Sequence, residues 1–137
     1  VMNPDSLSSL QLLSVAARAV RRESAAYLKT LGLPQLGFYI LEYLNERSPM
    51  MQSELARLVL VRSQTLGTVL TTLEARRWIT RQRGFIHNQV SVSITEQGRT
   101  LLTAAQKRLR TLQLPTDIEA LRPSLTAIIN RAAQQPG

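Results

Sequence analysis

The spacing of apolar residues along this chain shifts from about three or four to two and back again, and the order of the shifts outlines a fold. In SLSSLQLLSVAARAVRRESAAYLKTL, Leu10, Leu13, Ala17, Val20 and Tyr27 recur at helical spacing, while Arg18, Arg21, Arg22 and Lys29 fall elsewhere on the surface. Asp5 or Ser6 is the expected N-cap and Gly32 the stop. Pro34 opens a second helix, at a position where its missing N–H costs nothing. Leu36, Tyr39, Ile40, Tyr43 and Leu44 predict a continuous apolar stripe on that helix, which Ser48-Pro49 breaks.

A short helix over about 52–58 follows, with Leu55 and Leu58 expected to face inward. The hydrophobic turn Val59-Leu60-Val61 leads to a fourth helix over about 63–76. Leu66, Val69, Leu70 and Leu73 form its core side; Ser63, Gln64, Thr65 and Thr68 fall on the other side, near its start. Period two then takes over in strands at about 79–83 and 89–94, the second alternating Val90, Val92 and Ile94 against Ser91 and Ser93. Residues 84–88 form the tip between them. Helix, turn, helix and hairpin in that order is a helix-turn-helix with a β-wing, a device that sets one helix in a DNA groove and a hairpin beside it.

Thr95 caps a fifth helix running to about Gln113, with Leu101, Leu102, Ala105, Leu109 and Leu112 at helical spacing and Pro115 as its end. Thr116-x-x-Glu119 has the capping-box pattern for a sixth, carrying Ile118, Leu121, Leu125, Ile128 and Ile129, with Pro123 expected to kink or split it. The fold class is mainly α (α+β): one domain over 1–137, with the winged helix-turn-helix at 34–95 and dimerisation helices at 6–31 and 96–134. A winged module closes its own small core, so the apolar stripes of the terminal helices need another surface. Packing against a second copy is the economical solution, and a homodimer presents two recognition helices together.

Charge narrows the partner. The chain has 17 basic against 9 acidic residues, a formal +8, which favours polyanions: nucleic acid first, an anionic membrane surface second. All the basic residues except Lys29 and Lys107 are Arg, whose planar fork suits guanine edges and phosphates, although a GC-rich genome produces the same bias. Cysteine is absent, which excludes disulfides, thiolate metal sites and thiol redox sensing, and points to a cytoplasmic setting. No apolar run approaches the roughly 18 residues that span a bilayer, and none has the pattern of a signal peptide. His87 is the only histidine, so the usual transition-metal site cannot be built. Neither a Ser/His/Asp grouping nor a glycine-rich phosphate loop stands out, so neither an enzyme nor a cofactor is expected.

Candidate DNA contacts are therefore Arg62, Ser63, Gln64, Thr65 and Thr68 at the start of the recognition helix, with Arg81, Arg83 and His87 from the wing. Ser63 and Thr65 suit backbone oxygens, Gln64 suits adenine N6 and N7, and Thr68 suits a thymine methyl. The plain alternative is a solvated polar helix face. Arg76 or Arg77 could pair with Glu74 or cap the helix end, and Trp78 suits core or strand-entry packing. Tyr39 and Tyr43, with Arg18 or Arg22 as a carboxylate clamp, are candidates for a small-molecule cleft; the competing reading of the aromatic stripe is simple core.

Four runs then carry a family resemblance: LGLPQLGFYILEYL, QSELARLVLV, LEARRWITRQ and VSVSITEQGRTLL. In this order and spacing the chain resembles the MarR family of bacterial transcription regulators over nearly its whole length. The resemblance implies an obligate dimer on a pseudo-palindromic operator, repression of nearby genes, and release by a small aromatic or drug-like compound bound between dimerisation helices and winged domain. Two departures stand out. Leu60 and Arg62 occupy places where the family has a small turn residue and a Ser or Thr cap. His87, Asn88 and Gln89 stand where the wing usually carries Asp-x-Arg, which shifts the minor-groove role to Arg81 or Arg83. The rival readings are a sequence-tolerant DNA-architectural protein and a winged-helix protein-interaction module.

Overall fold

Local devices at several helix ends decide where the recognition elements lie. The computed structural model describes residues 3–84, 89–114 and 116–134. Helix α1 spans Ser9–Lys29 and starts from Ser8, not from Asp5 or Ser6. The Ser8 hydroxyl oxygen accepts from the Gln11 amide at 3.2 Å while the Gln11 side chain accepts from the Ser8 amide at 2.9 Å. This reciprocal capping box outcompetes Asp5, which lies in a 3₁₀ turn over Pro4–Ser6.

Helix α2, Gln35–Glu46, begins after Pro34 and buries Gly37, Phe38, Ile40, Leu41 and Leu44. The expected stripe is thus rotated: Phe38 and Leu41 point inward, whereas Tyr39 and Tyr43 are exposed. Strand β1, Met50–Met51, was not expected; it pairs with the wing, Met50 opposite Val92. Helices α3, Gln52–Val59, and α4, Ser63–Ala75, form the helix-turn-helix. Leu58 is exposed, contrary to expectation, because Leu55 and Ala56 hold the inner face and Val59 packs beside it. Leu66, Leu70 and Leu73 of α4 are fully buried, and Val69 is half-buried.

Strands β2, Ile79–Arg83, and β3, Val90–Ile94, pair antiparallel from Ile79 opposite Ile94 to Arg83 opposite Val90. Their alternation buries Ile79, Val92 and Ile94 against the helices in a sheet ordered β1-β3-β2. Helix α5, Glu96–Leu109, ends short of the expected Gln113. The Thr95 hydroxyl caps it by accepting from the Gly98 amide at 3.0 Å and donates to the Arg77 carbonyl at 2.7 Å, tying the helix start to the strand entry. Gly98 is needed there: a Cβ would run into the Trp78 carbonyl oxygen.

The C-terminal segment departs most from expectation. Asp117, rather than Thr116, does the capping: its carboxylate accepts from the Glu119 amide at 3.1 Å and opens a 3₁₀ turn over Ile118–Leu121. Helix α6, Arg122–Gln134, follows with Pro123 in its first turn, where no intrahelical N–H is required, so it neither kinks nor splits the helix. Pro115 lies outside the described residues.

Three helix ends share one closing motif, in which an αL residue lets two successive amides reach back over the last turn. At the end of α1 it is Gly32, φ +69, with Leu33 N–H on the Leu28 carbonyl at 3.2 Å. At α3 it is Leu60, φ 53, with Val61 N–H on Ala56 at 3.2 Å. At α4 it is Arg77, φ 63, with Trp78 N–H on Leu73 at 3.0 Å. Only the first is glycine. Leu60 and Arg77 hold a left-handed conformation that costs an L-residue about 1–2 kcal/mol, so the turn before α4 and the turn after it are the least relaxed parts of the module.

Candidate nucleic-acid interface

Helix α4 divides cleanly around its axis. Its leucine spine faces the core, and Gln64, Thr65, Thr68, Thr71 and Thr72 are exposed on the opposite side. Several of these threonines turn their hydroxyls onto their own helix: Thr68 donates to the Gln64 carbonyl at 3.1 Å, Thr71 to Gly67 at 2.9 Å and Thr72 to Thr68 at 3.4 Å. At the N-terminus, Arg62 occupies the N-cap position in extended conformation and provides no side-chain cap. The first-turn amides at Ser63, Gln64 and Thr65 therefore keep their donors for an external acceptor.

Arginines surround this face. Arg57 and Arg62 lie exposed before it in the chain and Arg76 and Arg77 just after it, while Arg83 is exposed at the far end of β2. Arg76 sits 5.7 Å from the Trp78 ring centroid and passes over Gly32, whose missing side chain leaves room for the guanidinium. Trp78 is half-buried against the core at the strand entry.

The two strand arginines differ in their commitments. Arg81 is held by Glu74 of α4: its Nη2 lies 2.9 Å and its Nε 3.2 Å from Glu74 Oε1, and its own backbone N–H donates to Oε2 at 3.2 Å. Nη2 also donates to the Thr71 hydroxyl at 3.1 Å. Arg81 thus braces the wing against the recognition helix, with a side chain only 22% exposed. Arg83, by contrast, is exposed and has no ion-pair partner among the described residues. His87 and Asn88 lie outside the described residues; beside them, the Gly84 amide donates to the Gln89 carbonyl at 2.6 Å and closes the hairpin.

A cleft of about 760 Å³ opens behind the helix-turn-helix, between α1, α2 and the 3₁₀ turn at Ile118–Leu121. Its walls are mostly apolar, and Leu60, the αL residue of the helix-turn-helix, is one of them. Tyr39 lines it; Tyr43, one turn further along α2, does not. Nor do Arg18 and Arg22: at 100° per residue they project from the side of α1 opposite Leu13, Ala17 and Val20, and Arg21 is the guanidinium at the cleft. A polar relay enters the same wall. Buried Ser24 lies 2.9 Å from Gln35 Oε1, and Gln35 Nε2 donates to the Tyr39 hydroxyl at 2.8 Å. Arg21 and Gln35 went unsingled in the sequence because the facing of α1 depends on α2 and on a 3₁₀ turn that periodicity does not reveal.

A helix, an αL turn, a second helix and a paired hairpin on a helical scaffold define a winged helix-turn-helix protein. Known proteins agree. The MarR family model matches residues 33–84. The transcriptional regulator BldR from Sulfolobus solfataricus is 29% identical, with 89% of this chain and 94% of that one covered at a TM-score of 0.75. A MarR-family transcriptional regulator from Rhodococcus sp. RHA1 is 21% identical, covers 86% and 89% of the two chains and has a TM-score of 0.77. The Staphylococcus aureus MepR chain, solved as a DNA complex, shares the fold at 15% identity, 92% and 99% coverage and a TM-score of 0.72. No protein with a curated description matches the chain. Residues 33–84 thus match the MarR family model, and the chain shares its winged helix-turn-helix fold with transcription regulators of that family.

Proposed function

We propose that the protein is a homodimeric DNA-binding transcription regulator of the repressor type, and that α4 enters the major groove while the wing reaches the flanking minor groove or backbone. The observation that carries this reading is the uncharged outward face of α4, backed by three fully buried leucines and bordered by exposed arginines at both ends. On it, Arg62, Ser63, Gln64, Thr65 and Thr68 are the residues proposed to meet DNA. Arg83 and His87 are the proposed wing contacts, and Arg81 positions the wing through Glu74. The fold shared with MepR, solved as a DNA complex, supports the assignment. A cytoplasmic location follows from such a role.

Dimerisation rests on surface area. A compact 15.3 kDa chain exposes about 7,100 Å², whereas this one exposes 10267 Å². The terminal helices carry many of the exposed apolar side chains. Leu10 is 77% exposed, Ile128 and Ile129 are about half exposed, and α6 buries no residue. The first half of α1 is apolar nearly all round, with Leu10, Leu12, Leu13 and Val15 on different sides, a pattern that suits burial on more than one side. A second copy meets that need and sets two recognition helices about one turn of DNA apart, as a pseudo-palindromic operator requires. We place an effector in the 760 Å³ cleft, an amphipathic aromatic held by its apolar walls with Arg21 and Tyr39 as the polar contacts.

The test is competition on a labelled duplex from the protein's own upstream region. The proposal expects excess of that duplex to displace the complex at far lower concentration than random duplex. Equal displacement by both would indicate a sequence-tolerant architectural protein. Binding that survives Gln64, Thr65 and Arg83 all changed to Ala would indicate an interaction module with incidental charge.

A further inference from the structure

We propose that α4 selects half-sites with A·T pairs at their centre, that Thr68 reads a thymine methyl group, and that guanine contacts are confined to the margin beside Arg62. The inference rests on the DNA-reader assignment above and specifies what that reader recognises. It starts from a contrast in composition. Fifteen of the 17 basic residues in the chain are Arg, yet none of them, and no Lys, lies within Ser63–Ala75.

The commonest specific contact to guanine needs a forked donor against O6 and N7. From the outward face of α4 that fork is missing. Arg76 lies against Trp78, beyond the helix end, and the wing's Arg81 is occupied by Glu74 and Thr71. Glu74, the acidic side chain of α4 able to accept from cytosine N4, is consumed by the same pair. Arg62 remains, but at the N-cap, at the edge of the reading face.

What the middle of the face offers is methyl groups and one amide. Thr68 and Thr72 direct their hydroxyl protons to the Gln64 and Thr68 carbonyls, so towards a groove they present a methyl and an oxygen lone pair. A methyl meets the thymine C5-methyl, and a lone pair accepts from adenine N6. Gln64, one turn before Thr68 on the same side, carries the donor and acceptor that match adenine N6 and N7. Both chemistries belong to A·T pairs.

The experiment selects bound duplexes from a random pool, then replaces each thymine of the selected half-site by deoxyuridine, which lacks the methyl. The wild type, Thr68→Ser and Thr68→Val are compared; serine keeps the hydroxyl and removes the methyl, whereas valine does the reverse. The selection is expected to enrich A·T pairs at the half-site centre. One deoxyuridine position should cost the wild type about fourfold in affinity, the worth of one methyl group removed from contact. Thr68→Ser should lose a similar factor on the thymine duplex and become insensitive to deoxyuridine at that position. Thr68→Val should stay sensitive. Enrichment of G·C centres, or unchanged deoxyuridine sensitivity in Thr68→Ser, overturns the inference and leaves the DNA-reader assignment standing. A selection that enriches nothing overturns both.

Discussion

The winged module and the terminal helices are built from similar residues, yet they reach opposite states. In the module, Leu41, Leu44, Leu55, Leu66, Leu70 and Leu73 are fully buried, and the ends of α3 and α4 are closed by backbone hydrogen bonds. In α6 and the first half of α1, leucines and isoleucines of equal hydrophobicity stand in solvent. One region buries its apolar side chains within the chain; the other leaves them exposed. Burial is worth about 25 cal/mol per Å² of apolar area, so covering the second region would add stability of the kind the first already has. In the proposed dimer, pairing through these ends would couple their folding to assembly, and assembly to the presentation of two readers.

The largest effect that can test this contrast is a cavity in the closed half. Leu41→Ala should cost about 2–5 kcal/mol in chemical denaturation. Leu10→Ala or Ile129→Ala should leave the module's unfolding unchanged when dilute and act only on the concentration dependence of association. Equal losses from both kinds of substitution would erase the distinction between the regions. Next, Gly98→Ala forces a Cβ onto the Trp78 carbonyl. A loss of about 1–3 kcal/mol is expected, with a shift in Trp78 fluorescence as the strand entry moves. An unperturbed variant would show that the α5–wing junction is slack.

Smaller effects sharpen the division of labour within the module. Arg83→Ala should reduce the slope of log affinity against log salt by about one, as expected for a lost phosphate contact. Arg81→Ala should weaken binding with that slope unchanged, because its charge is already spent on Glu74. A reduced slope for Arg81→Ala would return it to the DNA surface. Smallest of all, Arg77→Gly should stabilise the protein by about 0.5–1 kcal/mol by relieving the αL residue after α4, read as a rise in Tm.

The closed half was largely legible in the sequence and the open half was not, for the same physical reason. Periodicity reports a face that is buried by its own chain, so the bounds of β2 and the spine of α4 followed from spacing alone. Leu58 and the Tyr39–Tyr43 stripe misled because apolar residues at helical spacing do not say which of two adjacent faces meets the core. Ser8 was missed as a cap because Asp5 and Ser6 are equally good cap residues, and only the reciprocal Gln11 bond decides among them. At the site, the exposed face of α4 was readable from the residues opposite its leucines. The Glu74–Arg81 brace was not, since it joins a helix to a strand across the αL turn at Arg77. Arg21 replaced Arg18 and Arg22 at the cleft for a similar reason: three arginines on one helix are equivalent until a neighbouring helix gives that helix an inside.

The most direct test of a two-fold reader is the mass of the complex with a selected duplex, measured by sedimentation at micromolar protein. Two chains per duplex are expected, and a dimer in its absence. A monomer that binds one chain per duplex would contradict the pairing of the terminal helices and leave the winged module as a solitary reader.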